Sequence, residues 1–360
     1  MNRLLIAFCV AGLLTACGKK EEAPAAGTPA TAAVPAAADK EVYFCNWSEY
    51  IDPAVLEDFT RQTGIKVVYS TYDSNEALYA KMKLTGEGGC DVVVPSTYFI
   101  SKMAKEGLLA PLDKTRLGNF ANLDPALLNQ DYDPGNALSV PYMWGLSAIA
   151  VNSEKIDPAK VTGWADLWKP EYKGQVLLLD DVRETFAMAL RSIGLSGNTT
   201  VPAEIEKGYQ QLAKLLPNVR KFDSESPKDA FLQGDVNIGV LWNGEAFLAQ
   251  QENPKITLVY PKEGAILWID SLAIPKSAKR IDNAHALINF LLTPEAGKRN
   301  SEEVGYGTPN LASLKLLDPA VAGNPVAYPG SEVLKKAELQ IDIGDAITVY
   351  EGYWQKLKGE

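Results

Sequence analysis

Histidine is almost missing from this 360-residue chain: the one present is His285. It sits inside the apolar stretch Ala284 to Leu292, where a lone histidine is a core or surface helix residue rather than a base. The chain also lacks Cys/His metal spacings, a Gly-rich phosphate loop and a Gly-x-Ser-x-Gly elbow. Zinc chemistry, phosphoryl transfer and serine hydrolysis therefore find no motif to stand on. Cysteine is scarce, with four: Cys9, Cys17, Cys45 and Cys90. Long hydrophobic runs are scarcer. Leu4 to Leu14 is the main one, and it falls short of the roughly 20 apolar residues that span a bilayer. Positive charge lags behind negative, 35 Lys and Arg against 45 Asp and Glu, giving a net charge of -10 and a pI of about 4.9. That balance argues against nucleic acid as a partner and fits a cationic ligand.

What is present begins with a targeting signal. Arg3 supplies a basic start, Leu4 to Leu14 an apolar segment, and Leu14-Thr15-Ala16-Cys17-Gly18 resembles the bacterial lipobox. Residues 1–17 read as a lipoprotein signal peptide, with Cys17 lipidated as the mature N-terminus. Residues 18–39 are Ala, Pro, Gly, Thr and Glu without a hydrophobic period, a disordered tether. Gly18 stands where lipoproteins retained at the inner membrane carry Asp, so the choice between inner and outer membrane, or the cell surface, stays open. The expected location is periplasmic and lipid-anchored. Cys45 and Cys90 then remain. An exported compartment permits a bridge between them, but register argues against one. With the strands 42–46 and 90–95 aligned at Trp47 and Ser96, Cys90 lies about four residues, or roughly 13 Å, beyond the neighbour of Cys45.

The following 320 or so residues suffice for two domains. Strands are predicted at 42–46, 65–69 and 91–95, with helices opening at Asp52-Pro53 and running over 75–84; Gly64 ends the first helix. This alternation is an open parallel α/β sheet. A second such unit has helical and turn material over 152–169, strands at 176–179, 236–241, 256–260 and 266–273, and helices starting at Asp181 and running over 205–216 and 284–292. Helical pieces follow from Ser331 onward.

Ligands of open α/β sheets bind beyond the carboxyl ends of the strands. Those ends carry Trp47, Glu49 and Tyr50, then Ser96 and Tyr98, then Asp181, then Trp242, while Trp268 and Asp270 interrupt the strand near Ile266. No Lys or Arg occupies these positions, although Arg183 is adjacent. Aromatic faces attract ammonium groups, and carboxylates add charge-assisted hydrogen bonds. Rings alternating with carboxylates suit an elongated polycation better than a sugar or a hard metal. Plainer roles compete: each Trp as a core residue, Asp181 and Glu184 as a capping box, Glu49 and Asp270 as surface charges. A carboxylate pair with aromatic platforms is also what a glycan hydrolase uses.

A set of motifs then resembles the spermidine/putrescine-binding protein family of bacterial polyamine ABC importers. They are Asn46-Trp47-Ser48-Glu49-Tyr50, Thr63-Gly64-Ile65-Lys66-Val67, Tyr72-Asp73-Ser74-Asn75-Glu76, Val94-Pro95-Ser96-Thr97-Tyr98, and Trp164-Ala165-Asp166-Leu167-Trp168-Lys169-Pro170. Trp242-Asn243-Gly244, Trp268-Ile269-Asp270-Ser271-Leu272-Ala273-Ile274-Pro275 and Gly305-Tyr306-Gly307-Thr308-Pro309-Asn310 continue the series. The resemblance implies an α/β, two-lobed periplasmic-binding-protein fold of type II. Each lobe would be an open, mostly parallel sheet flanked by helices, with ligand in the cleft between lobes. It implies an N-terminal lobe of 40–149 plus 268–315 and a C-terminal lobe of 150–267 plus 316–360.

The same resemblance implies an aromatic box of Trp47, Tyr50, Tyr98, Trp242, Trp268 and Tyr306. The ammonium-binding carboxylates would be Asp181, Glu184 and Asp270, with polar contacts from Ser48, Glu49, Ser96 and Gln340. Ser48 stands where spermidine-preferring relatives often have Thr, and Cys45 and Cys90 where they commonly have Tyr, read here as packing changes. Putrescine-specific relatives tend to show Phe-Phe-Asp near Leu267-Trp268-Ile269-Asp270 and a different residue at Tyr98, so the pattern favours spermidine over putrescine. No catalysis, cofactor or metal is implied. The expected partners are the polyamine, the importer's permease subunits and, through the lipid, a membrane; the expected state is a monomer. Another small organic cation remains the nearest alternative ligand.

Overall fold

In the computed structural model, residues 40–85 and 89–359 are described. The expected signal peptide, Cys17 and the tether 18–39 lie outside the described residues. β1 (Glu41–Trp47) buries Val42 and Phe44, and α1 (Pro53–Thr63) follows. Asp52 caps α1 by accepting the Ala54 N–H at 2.8 Å, and Pro53 occupies the first helical position. Gly64 ends the helix at φ 71°, a left-handed turn that glycine adopts without steric cost. β2 (Lys66–Tyr72), α2 (Asn75–Thr85), β3 (Val92–Val93) and α3 (Thr97–Lys105) complete the first run.

Then comes β4 (Ser139–Asn152), a 14-residue strand missing from the sequence expectation. Pro141 and Gly145 break its apolar run, and an internal proline argues against a central strand. The structure accommodates Pro141 at a register shift between Pro141 and Met143. β5 (Val176–Leu178), α4 (Val182–Ser192), α5 (Pro202–Leu215), β6 (Val219–Phe222), α6 (Pro227–Leu232), β7 (Ile238–Trp242) and α7 (Asn243–Glu252) come next. β8 (Ile256–Val259), β9 (Ile266–Ala273), α8 (Ile281–Leu291), α9 (Pro294–Val304), β10 (Glu338–Leu339) and a C-terminal helix, Ile347–Lys358, follow.

The strand order is β2-β1-β3-β9-β4-β7-β5-β6, with β10 beside β9 and β8 beside β4. Pairing is parallel on both flanks, among β2, β1 and β3 and among β7, β5 and β6. In the middle β9 runs antiparallel to β3 and β4, and β4 antiparallel to β7. The parallel α/β units expected from the sequence are thus the flanks of a mixed sheet. β4 joins them: residues 139–147 pair with β9, and residues 147–152 pair with β7 and β8.

Core residues fall into two sets on either side of this seam. One draws on residues 42–143 and 268–306, the other on residues 148–266 and 326–357. Trp242 is half-buried and packs against both.

Cys45 and Cys90 form a disulfide, with Cα atoms 5.9 Å apart, which corrects the expectation that register forbids it. β1 pairs Cys45 with Val93, and β3 is only two residues long. Upstream of Val92 the chain leaves the extended path. The Asp91 N–H donates to the Tyr43 carbonyl at 2.7 Å, and the Asp91 carboxylate accepts the Tyr43 N–H at 2.9 Å. That clamp turns Cys90 toward Cys45, where a continued strand would have carried it roughly 10 Å away.

Candidate functional site

Asp270 lies on β9 and is itself paired, in an isolated antiparallel bridge, with Ser96 just before α3. The Ser96 hydroxyl donates to its Oδ1 at 2.6 Å. Asn75, the first residue of α2, fixes that serine: its Nδ2 donates to the Ser96 hydroxyl at 3.1 Å and to the Tyr98 hydroxyl at 3.0 Å, and its Oδ1 accepts the Ser96 N–H at 3.1 Å. Asp270 is only 5% exposed, and burial pushes its carboxyl up to about 7 against the opposing pull of the Ser96 and Tyr50 hydroxyls. Such a carboxyl is costly to ionise unless a cation joins it.

Trp268 is two residues before Asp270, so both project from the same face of β9. Its ring meets Tyr306 edge-on at 5.1 Å, and Tyr306 lies 5.5 Å from Tyr50, whose other neighbour is Tyr142 at 5.8 Å. Two glycines admit these rings. A Cβ on Gly145 would stand 2.3 Å from Trp268, and one on Gly244 2.4 Å from Tyr306. The Trp268 indole N–H is buried without a hydrogen-bond partner among the described residues, and the Tyr50 hydroxyl is near enough to Asp270 to pull on its carboxyl but completes no hydrogen bond among them.

The other carboxylates come from the start of α4. Asp181 is its N-cap, accepting the Glu184 N–H at 2.9 Å, as the capping pattern predicts. Glu184 makes no reciprocal bond to the Asp181 N–H among the described residues. Instead it is 4% exposed, and Oε2 is partnerless among those residues. Burial, then the Asp181 charge, pushes Glu184 up to about 8; burial also raises Asp181. Ser147 of β4 and Trp242 of β7, opposed across the two strands, lie beside Glu184.

The two groups meet through tyrosines. Burial raises Tyr306, and its hydroxyl also feels Glu245, Asp270 and Glu184. Tyr98 feels Asp181 on one side and is held by Asn75 on the other. Arg183 spans the same region: its guanidinium lies 5.1 Å over the Tyr98 ring and donates to the Ile341 carbonyl at 3.1 Å and to Asn198 at 2.9 Å. Gln340 is buried, with its backbone carbonyl accepting the Thr97 hydroxyl at 2.8 Å and its side-chain Nε2 partnerless among the described residues.

Of the sequence-predicted residues, Tyr50, Ser96, Tyr98, Glu184, Trp268, Asp270, Tyr306 and Gln340 are buried, while Asp181 and Trp242 are half-buried around them. Trp47 is half-buried: its indole N–H donates to the Val94 carbonyl at 2.7 Å and its ring tilts against Tyr72 at 4.9 Å. Ser48 and Glu49 are exposed. Glu49, at φ 50°, points its carboxylate to Lys228 at 3.6 Å. Trp268, Tyr50 and Tyr306 also belong to one core cluster, so wall and core are one packing unit. His285 is a structural residue: Nε2 accepts the Asp113 N–H at 2.9 Å, leaving Nδ1 to donate to the Ile281 carbonyl at 2.8 Å.

Sequence reasoning missed Asn75, Ser147 and Lys228. Asn75 stood inside a quoted motif and could have been found there. Ser147 was hidden with its strand, and Lys228 carries no local signal.

Comparison with known proteins identifies the family. The family described as bacterial extracellular solute-binding protein matches residues 54–327. The spermidine/putrescine-binding periplasmic protein of Escherichia coli K12 is 55% identical over 317 residues, covering 88% of this chain and 91% of that protein. The substrate-binding protein PotD of a spermidine/putrescine ABC transporter from Streptococcus pneumoniae has a structure similar at TM-score 0.74 with 39% identity, covering 88% of this chain and 99% of the other. The TpPotD lipoprotein of Treponema pallidum matches at TM-score 0.80 with 28% identity, covering 89% of this chain and 100% of the other. The chain belongs to the family of bacterial extracellular solute-binding proteins.

Proposed function

We propose that the protein captures a linear polyamine outside the cytoplasm, spermidine in preference to putrescine, and delivers it to the permease subunits of an ABC importer. One observation carries this. Asp270 and Glu184 are buried carboxyls, raised to about 7 and about 8, and neither forms an ion pair with Lys or Arg among the described residues. A wall of rings lies between them, and an ammonium at each end with methylenes against the rings satisfies both at once. Asp181 supplies the third carboxylate for a triamine. Trp47, Tyr50, Tyr98, Trp242, Trp268 and Tyr306 form the walls; Ser48, Glu49, Ser96 and Gln340 supply polar contacts.

The names of the Escherichia coli and Streptococcus pneumoniae relatives support the ligand class. In this proposal the lobes are 40–149 plus 268–315 and 150–267 plus 316–360, hinged on β4 and β9, and the two core sets support that division. The monomer is lipidated on Cys17 and works beside a membrane.

Native mass spectrometry of protein purified without added polyamine tests the ligand. A retained mass equal to spermidine is expected, with calorimetry then giving tighter binding for spermidine than for putrescine. Protein that retains no amine and gives no heat with either would rule the proposal out.

A further inference from the structure

β10 is only two residues long, and Gln340 follows it directly. β10 runs parallel to β9, with Glu338 opposite Ile266 and Leu339 opposite Leu267, and the Gln340 N–H donates to the Leu267 carbonyl at 2.9 Å. Continuing that register by one residue sets Gln340 beside Trp268, on the face that Trp268 shares with Asp270. On this side the Gln340 backbone is held twice, by Leu267 and by the Thr97 hydroxyl.

Among the described residues β10 pairs with β9 alone, so no strand covers its other edge. A parallel neighbour there would donate an N–H to the Leu339 carbonyl and accept the Ile341 N–H. The Asn198 side chain does both: Nδ2 donates to the Leu339 carbonyl at 2.9 Å, and Oδ1 accepts the Ile341 N–H at 3.1 Å. Oδ1 also accepts Arg183 Nη2 at 2.9 Å, and Arg183 Nη1 donates to the Ile341 carbonyl at 3.1 Å. Asn198 lies between α4 and α5, on a turn that is itself tied to β10: the Gly197 N–H donates to Glu338 Oε2 at 2.9 Å, and the Asn198 N–H to the Ser196 hydroxyl at 3.0 Å. A carboxamide offers a donor and an acceptor side by side, whereas aspartate offers two acceptors and alanine neither.

We propose that Asn198 is a positioning residue for the polyamine: its carboxamide stands in for a neighbouring strand and fixes Gln340 beside Trp268, where the Gln340 side-chain oxygen accepts a ligand N–H. This rests on the polyamine function proposed above. Gln340 Nε2 is buried and partnerless among the described residues, so no bond of its own anchors it. The aim of that side chain therefore depends on its backbone, and the free edge of that backbone depends on Asn198.

The test is calorimetric titration of the full chain with spermidine, in the unaltered protein, Asn198→Ala, Asn198→Asp, Gln340→Ala and the two double variants. Asn198→Asp keeps the side-chain volume and loses only the donor, so it serves if the alanine variant does not fold. Each single substitution is expected to weaken spermidine by about tenfold, and either Asn198 change added to Gln340→Ala by less than about threefold more. A residue that merely supported the fold would cost the same with or without Gln340. A loss below about threefold in the folded Asn198 variants, or in Gln340→Ala, overturns the inference. So does an Asn198 loss of about threefold or more in the Gln340→Ala background, which places its effect on Arg183 or on the fold. Failure of the unaltered protein to bind spermidine counts against the polyamine function itself, a separate outcome.

Discussion

Asp270 shows how one buried carboxyl ties affinity, pH and stability together. With its pKa raised to about 7, and Glu184 to about 8, both are largely protonated in mildly acidic solution before ligand arrives. A bound ammonium favours the ionised form, so binding releases protons and affinity falls as pH drops below about 8, and more steeply below about 7. For ligand-free stability the sign is opposite to that of a salt-bridged carboxylate. The folded state holds these protons more tightly than the unfolded chain, so their stabilisation is complete below the unfolded pKa of about 4. It is lost as pH rises through about 7 for Asp270 and about 8 for Glu184. Asp270→Asn should weaken spermidine by roughly 2–4 kcal/mol and flatten part of the decline in ligand-free melting temperature between pH 5 and 8. Titration in two buffers of different ionisation enthalpy reads the proton release. An affinity unchanged by the substitution removes Asp270 from the site.

At the scale of elements, legibility followed local chemistry. β1 and α1 were readable from the apolar Val42 to Cys45, from Asp52-Pro53 and from Gly64, and β9 from the apolar Ile266 to Ile269 that leads into Asp270. β4 was not, because Pro141 and Gly145 are tolerated only through tertiary context: a register shift at one, the packed Trp268 ring at the other. The Cys45–Cys90 bridge failed for the same kind of reason, since the Asp91 clamp that bends the chain is a long-range contact. The rings and carboxylates were visible as residue types at strand ends, but their division into wall, core and surface was not. Glu49 looked like Asp270 in sequence; only the fold shows one exposed and ion-paired, the other buried. Gly244 offers a test of the wall. Gly244→Ala drives a methyl into Tyr306, which is confined between Tyr50 and Trp268, so overpacking of about 1–3 kcal/mol is expected to appear as lost spermidine affinity in a still-folded protein. Unchanged affinity by calorimetry would mean that the Tyr306 ring is not positioned for ligand.

For the molecule as a whole, β4 matters because it is shared. Its first part pairs with β9 and its second with β7 and β8, so it ties the two core sets together. In the two-lobe arrangement proposed above, a hinge on continuous strands would keep both walls of the cleft in register while they part. In the function proposed above, attachment rests elsewhere, on Cys17. Cys17→Ala should move the exported protein from the membrane fraction to the soluble fraction on cell fractionation; protein that stays with the membrane without its cysteine is not held by a lipid there.

The disulfide carries a consequence for timing. Its 45-residue separation encloses Trp47, Tyr50, α1 and Asn75, the clamp on Ser96. By the chain-entropy account, closing such a loop contributes about 4 kcal/mol. A reducing cytoplasm keeps thiols apart, and an exported compartment joins them. That share of the stability of the ring-bearing loop therefore arrives only after the chain has left the cytoplasm, which separates the finished binder from the polyamine pool of the cell that makes it.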